Sequence, residues 1–467
     1  MFIRDKSTEY FNNSGLLTDI AAVLFFMFIL LKPYYLKPSG SVGFADICLA
    51  GAGMFLMLRE FICFCKCRNS LSIGEKVNSN YRMLMFQRGY GKRNTQSGES
   101  ASGRGLLYSD DICLYLFIIA AVIINAVHEH LYPQGNFKLY SLFWVYNCLA
   151  IWTCRKLAGC ELVPKNGMNK SVVSIKKIVI RLLEFDIIMQ LIILISGHGR
   201  IFTEYWGAIR YMGSFNDPNQ LAFFMLMSIL LVFELSADPD VYDSAKILHS
   251  SKKEAVFSFI KEYLPELVTV AIALFIIIMS KSTGIMLGVA VFAFLLWICS
   301  LSELTVKEIV SGRTVLIFAA VVGISVALLL WYIWPSADFN VQELEYNTLT
   351  RIQEKLWKLS QGGAGGFLLD RGADKIAAFP QYMLFGAGEG AFERFQLPGR
   401  GINELHCSLL SILFCYGIIP TLLMLIWCGK CLRNKNRWQL CALMALIAES
   451  FTLINYRQPM FWFLFVL

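Results

Sequence analysis

Charge is what this sequence has least of. Only 16% of its 467 residues are Asp, Glu, Lys or Arg, while 56% are hydrophobic; soluble domains run near 25% and roughly 45–50%. A mean hydropathy of +0.55 leaves too little polar surface to cover a globule. Three soluble domains, which length alone would suggest, are therefore excluded. So are disorder, collagen, coiled coil and a small disulfide scaffold. Met1–Tyr10 lacks an apolar core followed by a small-residue cleavage site, so no removable signal peptide is expected. Cys63-Phe-Cys-Lys-Cys67 lacks neighbours to complete a four-ligand metal set. The fourteen cysteines lie in apolar stretches or beside basic segments, which suits reduced thiols.

Long apolar runs are what the sequence has instead. A spanning helix needs roughly 20 apolar residues. The candidates are Leu16–Leu36, Val42–Cys65, Ile112–Leu131, Leu139–Cys154, Ile178–Ser196, Leu221–Leu235, Leu264–Ser280, Thr283–Leu301, Val315–Trp334, His406–Cys428 and Leu440–Ile454. Met460–Leu467 is apolar but too short to cross: a re-entrant stub, or a segment that continues in a longer chain. The expected fold class is all-α, a polytopic membrane bundle of about 11–12 transmembrane helices, one transmembrane domain over 1–467. A net charge of +8 raises the question of nucleic acid. Its distribution answers it: alternate loops carry 24 Lys/Arg against 7 in the short loops between them. By the positive-inside rule the basic set faces the cytoplasm with the N-terminus, and no nucleic-acid partner is expected. One long external loop remains, Pro335–Leu405.

Candidate chemistry gathers on that external side. Asp217-Pro218 is a helix start, Asp as N-cap and Pro in the first turn. Arg210 precedes that helix end, where free amides and the dipole favour an anion, and its fork suits a phosphate. An interfacial Arg snorkelling to headgroups is the bland alternative. Leu349-Thr-Arg351-Ile352 through Leu359 has helical apolar spacing and reads as a surface helix, either a lid or merely interfacial. Gly386-Ala-Gly388-Glu-Gly390 lacks a Gly-Lys-Ser/Thr ending and is expected to form a tight turn against protein rather than hold a nucleotide. Asn403 reads as an N-cap that would put Glu404 and His406 in a first helical turn, where the dipole keeps an imidazole neutral and able to accept a proton; a satisfied interfacial His is the alternative. Asp186 and Glu449 fall inside apolar helices and should face protein rather than lipid.

These pieces together resemble the O-antigen ligase and Wzy-type polysaccharide polymerase superfamily. The resemblance rests on Arg210-Tyr-Met-Gly-Ser-Phe-Asn-Asp-Pro-Asn219-Gln-Leu-Ala, Ser280-Lys281-Ser-Thr-Gly284, Arg371 with Leu384-Phe-Gly-Ala-Gly-Glu-Gly390, and Glu404-Leu-His406 before an apolar helix carrying Gly417. It covers roughly residues 195–428. It implies a bacterial inner-membrane glycosyltransferase, multi-pass, working at the periplasmic face on an undecaprenyl-diphosphate-linked glycan donor and acceptor, with the lipid bilayer and a chain-length regulator protein as further partners. Arg210, Arg371, His406 and Glu404 would be catalytic; Arg210, Arg371, Lys281, Arg351 and Asn219 would bind diphosphate and glycan. No metal and no cofactor are expected. Ligases show Asn after the His, where this chain has Cys407, which favours a polymerase over a ligase. A flippase for the same lipid is the alternative from another class.

Overall fold

The computed structural model describes residues 6–36, 42–71, 111–158, 161–162, 173–203, 209–236, 252–307, 347–397, 404–433 and 435–467. The expected span Val315–Trp334, the expected cap Asn403 and residues 335–346, which open the expected long loop, lie outside them. In chain order the helices are α1 (Lys6–Leu31), α2 (Phe44–Leu71), α3 (Ile112–Leu131), α4 (Phe137–Ala158), α5 (Ile175–Ile195), α6 (Pro218–Ser236), α7 (Lys252–Ser280) and α8 (Thr283–Lys307). Then come α9 (Thr348–Asp370, interrupted at Gly363), α10 (Asp374–Ala378), α11 (Ser408–Tyr416), α12 (Ile418–Arg433), α13 (Arg437–Ser450) and α14 (Pro459–Val466). Among the described residues, strand is confined to two short antiparallel hairpins, β1 (Glu161–Leu162) with β2 (Val173–Ser174), and β3 (Arg200–Thr203) with β4 (Ile209–Gly213). The architecture is all-α.

These helices are apolar on the outside as well as the inside. On α3, Leu114, Phe117, Ile118 and Ala121 are buried, while Leu116, Ile119, Ile123 and Val127 point outward at 48–57% exposure. A soluble helix places charge on that face. Apolar exposure at helical spacing recurs on α2 (Met54, Phe61) and α7 (Leu267, Phe275), an area no soluble monomer leaves in water. Among the described residues, four helices have segments long and apolar enough to cross a bilayer: Gly15–Tyr34, Phe44–Cys65, Ile112–Leu131 and Pro218–Ser236. This is a membrane protein.

The chain divides into two compact units. One comprises residues 1–183, 418–434 and 457–467. Its centre is aromatic: Trp144 meets Phe117 edge-on at 4.7 Å and Trp462 at 5.8 Å, and Trp462 meets Trp427 at 5.8 Å. The short α14 is buried in this cluster from Pro459 to Phe465. At one margin Asp111 receives the Trp427 indole N–H at 2.6 Å and pairs with Arg155 at 3.1 Å.

The second unit comprises residues 184–417 and 435–456. Here α6, α8 and α13 pack closely because the residue between them is small. A Cβ on Gly288 would stand 3.1 Å from both Leu226 and Glu449 and 3.5 Å from the Ala445 carbonyl, so backbones approach without a bulky spacer. Helix α6 is buried almost all round, in keeping with a central position. At one end of the three helices Lys435 pairs with buried Glu234, and Cys299 and Cys441 lie 3.4 Å apart. The candidate residues lie at the other end.

Two sequence expectations need correction. His406–Cys428 is not one helix, for Gly417 (φ 79°, ψ 175°) separates α11 from α12. The segment Leu384–Gly390 crosses this break: Ala387 N–H donates to the Phe414 carbonyl (2.9 Å) and Gly388 N–H to that of Cys415 (2.8 Å). A side chain on Gly417 would overlap the Leu384 carbonyl, and one on Gly386 the Cys415 carbonyl; both have left-handed φ. Crossing backbones therefore require both glycines, and the Gly-rich segment lies against protein as expected, though it crosses the break rather than forming a tight turn itself. Second, α11 begins at Ser408 with Cys407 as its N-cap. Glu404 and His406 lie ahead of the helix in an irregular segment and not in its first turn.

Candidate functional site

Arg210 sits on β4, where the sequence suggested only an outer segment. Pairing with Phe202 across the hairpin fixes its register. Strand β4 is buried after Ile209, and Gln190 on α5 holds its end: Gln190 donates to Ser214 Oγ (2.7 Å) and accepts the Ser214 amide (3.2 Å). The Tyr211 hydroxyl, which donates to the Gln190 carbonyl, is pushed up to about 12 by burial. Arg210 itself is 5% exposed. Its Nε donates to the Ser280 carbonyl at 2.9 Å and its Nη2 to Asn219 Oδ1 at 2.8 Å. Ser282 Oγ donates to the same Asn219 oxygen at 2.9 Å. The end of α7, the start of α8 and the first turn of α6 thus fix one guanidinium plane.

The first turn of α6 forms as its sequence dictates. Asp217 Oδ1 accepts the amides of Asn219 (2.7 Å) and Gln220 (3.1 Å), and Pro218 opens the helix where no amide is needed. Asp217 is a cap. Asn219 is a neighbour of Arg210 first, whatever it does for a ligand. Lys281 is the turn between α7 and α8, with φ 53° and its N–H on the Ile278 carbonyl; the structure places it between the two serines that hold Arg210 and Asn219.

A second group forms around Arg371. The His406 amide donates to the Arg371 carbonyl at 2.9 Å. The turn at Gly372 lies against Glu404 and Leu405, so closely that a Cβ there would stand 3.4 Å from the Glu404 carbonyl. Arg371, Glu404 and His406 are therefore brought together. Arg351, on α9, faces the same region through Lys355. Burial first, then the charges of Lys358, Arg371 and Arg351, hold the Lys355 ammonium below the ordinary lysine range, with Glu354 opposing. Lys355 thus lies within reach of the charges of Arg351 and Arg371, with Glu354, paired to Lys358 at 2.7 Å, among them.

The two groups occupy one end of the unit through a short chain of contacts. Thr348 Oγ1, at the start of α9, donates to the Ile278 carbonyl of α7 (3.3 Å). Gly284, two residues past Ser282, lies against Thr452 and Leu453. The Leu453 carbonyl accepts from Ser408 Oγ at 2.7 Å, two residues past His406. Beneath this layer sits Glu449, fully buried, accepting Asn455 Nδ2 at 2.6 Å; the Asn455 amide donates to Ser408 Oγ at 3.2 Å. Asp186 is likewise fully buried. Both acids face protein, as expected.

No protein-family model matches this chain, and no curated protein matches it significantly. Function must be read from the site.

Three features of the site escaped sequence reading. Lys355 is one of several charges along the Leu349–Leu359 helix, and Lys375 stands in none of the motifs the sequence offers. Glu389 passed as a spacer between glycines, yet it is 1% exposed and accepts the hydroxyls of Tyr416 and, at 2.7 Å, Tyr456. Its signal was in principle visible: one acid inside a Gly-Ala-Gly-Glu-Gly run that otherwise has nothing to bury.

Proposed function

We propose that this chain is a bacterial inner-membrane polysaccharide polymerase of O-antigen or capsule type. It joins undecaprenyl-diphosphate-linked repeat units at the periplasmic face by metal-independent, inverting glycosyl transfer. The carrying observation is the gathering of cations at one end of the second unit: the fixed Arg210 fork on one side, and on the other Arg351, Lys355 and Arg371 beside His406 and Glu404. As the glycosidic bond breaks, negative charge develops on the leaving diphosphate, and pre-oriented guanidinium groups stabilise it there. The acceptor hydroxyl attacks the anomeric carbon from the opposite face. His406 or Glu404 takes its proton.

In this reading the bundle has about 11–12 crossings, its N-terminus lies in the cytoplasm, and α9 and α10 belong to a periplasmic loop. Cysteine-accessibility labelling of Ser360→Cys on a Cys-depleted background tests the orientation; labelling from the cytoplasmic side alone would end the proposal. The surface glycan of a deletion strain tests the reaction, where that glycan is attached to lipid A-core. Loss of a polymerase leaves lipid A-core capped by one repeat unit. Long chains stranded on undecaprenyl diphosphate would identify a ligase instead, and single units trapped in the cytoplasm a flippase.

A further inference from the structure

Lys375 lies in the first turn of α10, four residues past Arg371, and is 1% exposed. Its stem passes under the Gly372 turn: a Cβ on Gly372 would stand 3.6 Å from Lys375 Cε, 3.4 Å from the Glu404 carbonyl and 3.7 Å from Leu405 Cα. The ammonium is thus carried beneath the segment that leads to His406. Among the described residues Nζ meets no hydrogen-bond acceptor. Asp374 and Glu404 reach it only through space, and burial holds its affinity for a proton below the ordinary lysine range despite them.

Taking an ammonium out of water without an acceptor is among the least favourable things a fold can do. Apolar residues of the same volume would serve a purely structural role better. The group shares its turn with Arg371, whose carbonyl holds His406, and that turn is next to the cations of α9. Its chemistry is that of a three-donor point charge, complementary to the planar fork of an arginine.

We propose that Lys375 is an anion-binding residue that, with Arg371, holds the phosphate oxygens of a membrane-borne ligand, the diphosphate of an isoprenoid carrier in the first instance. The inference rests on the reading of this end as a diphosphate site. The same chemistry would serve an anionic lipid headgroup, and the test separates the two sources.

The full chain, purified and reconstituted in phosphatidylcholine nanodiscs, is titrated with inorganic pyrophosphate while its thermal unfolding is followed. Wild type is expected to be stabilised. In Lys375→Met, where an apolar stem fills the same space, the apparent Kd should rise on the order of tenfold or more, as for loss of one charge-assisted hydrogen bond. Lys375→Arg should keep most of the affinity. A second set of discs containing phosphatidylglycerol tests the other source: stabilisation by that lipid alone, lost in Lys375→Met, retains the site and assigns it to a headgroup. Lys375→Met binding pyrophosphate as wild type does, or no Lys375-dependent effect of either anion, overturns the inference. Should the Met variant not fold, Lys375→Gln is compared with Lys375→Arg, and equal affinity in the two overturns it. The glycan of the deletion strain stays a separate readout: a polymerase phenotype with Lys375-independent binding sinks this inference alone, and Lys375-dependent binding without that phenotype sinks the polymerase reading alone.

Discussion

His406 donates its backbone N–H to the carbonyl of Arg371 at 2.9 Å. This one bond ties the segment that carries His406 to the Arg371 turn, from a distant stretch of chain, through backbone and not side chains. Substituting either side chain leaves the coupling intact, so activity can be probed without collapsing the local fold.

Arg210→Ala, Arg371→Ala and His406→Ala are each expected to lower glycan extension on the order of 10²-fold or more while the protein still inserts. Arg210→Lys should not restore it, because an ammonium cannot reach both the Ser280 carbonyl and Asn219 in one plane. Chain-length analysis of surface glycan in complemented deletion strains reads the outcome. Near-normal polymer from the Arg371 variant would remove that residue from the site.

Asp217→Ala should cost about 1 kcal/mol of stability through the lost cap. It should also lower activity, because Asn219, whose amide that cap holds, positions Arg210. Asp217→Asn, which still accepts, should do neither. Thermal unfolding in detergent together with the glycan assay separates the two effects.

Gly417→Ala and Gly386→Ala should each be strongly destabilising, about 3 kcal/mol or more, since a left-handed backbone and a collision with a crossing carbonyl add together. Gly363→Ala is the control: its backbone (φ 59°, ψ −162°) is one that glycine almost alone adopts, but a Cβ there meets nothing within 4 Å, so only the backbone strain of about 1–3 kcal/mol applies, without a collision. Similar losses at all three would show that the crossing is not tight.

Glu389→Ala should leave the hydroxyls of Tyr416 and Tyr456 buried without their acceptor, a loss of about 2–4 kcal/mol. Glu389→Gln, which still accepts one of them, should lose less. Unfolding midpoints of the purified variants check the order.

Burial lowers the proton affinity of Lys375, and of Lys355, in the folded chain. Between that depressed value and the ordinary lysine value near about 10.4, the unfolded chain binds more protons than the folded one, so stability rises with pH in that window. Tyr211 acts oppositely, keeping its proton up to about 12 where an unfolded phenol has lost it, and pulls stability down above about 10. Relative to Lys375→Met, wild type should gain stability as pH rises toward the ordinary lysine value; an unchanged difference would mean that Lys375 titrates as an exposed lysine does.

Composition and apolar run length were enough to place this chain in a membrane and to position most of its helices, because a bilayer demands long apolar segments whatever their partners. The cap at Asp217-Pro218 was equally legible, since it depends on neighbours in sequence. Arg210, Arg371, Glu404 and His406 could be nominated as residues, but how they come together could not. The break at Gly417 exists only because Leu384–Gly390 crosses there, and it displaces nothing that a hydropathy pattern records. Ahead of α11, Glu404 and His406 leave the helix to meet the Arg371 turn, overriding a local capping signal. The roles of Lys355, Lys375 and Glu389 depend on burial by segments remote in sequence. A charge is ordinary in water and exceptional when desolvated, and only the tertiary structure decides which it is.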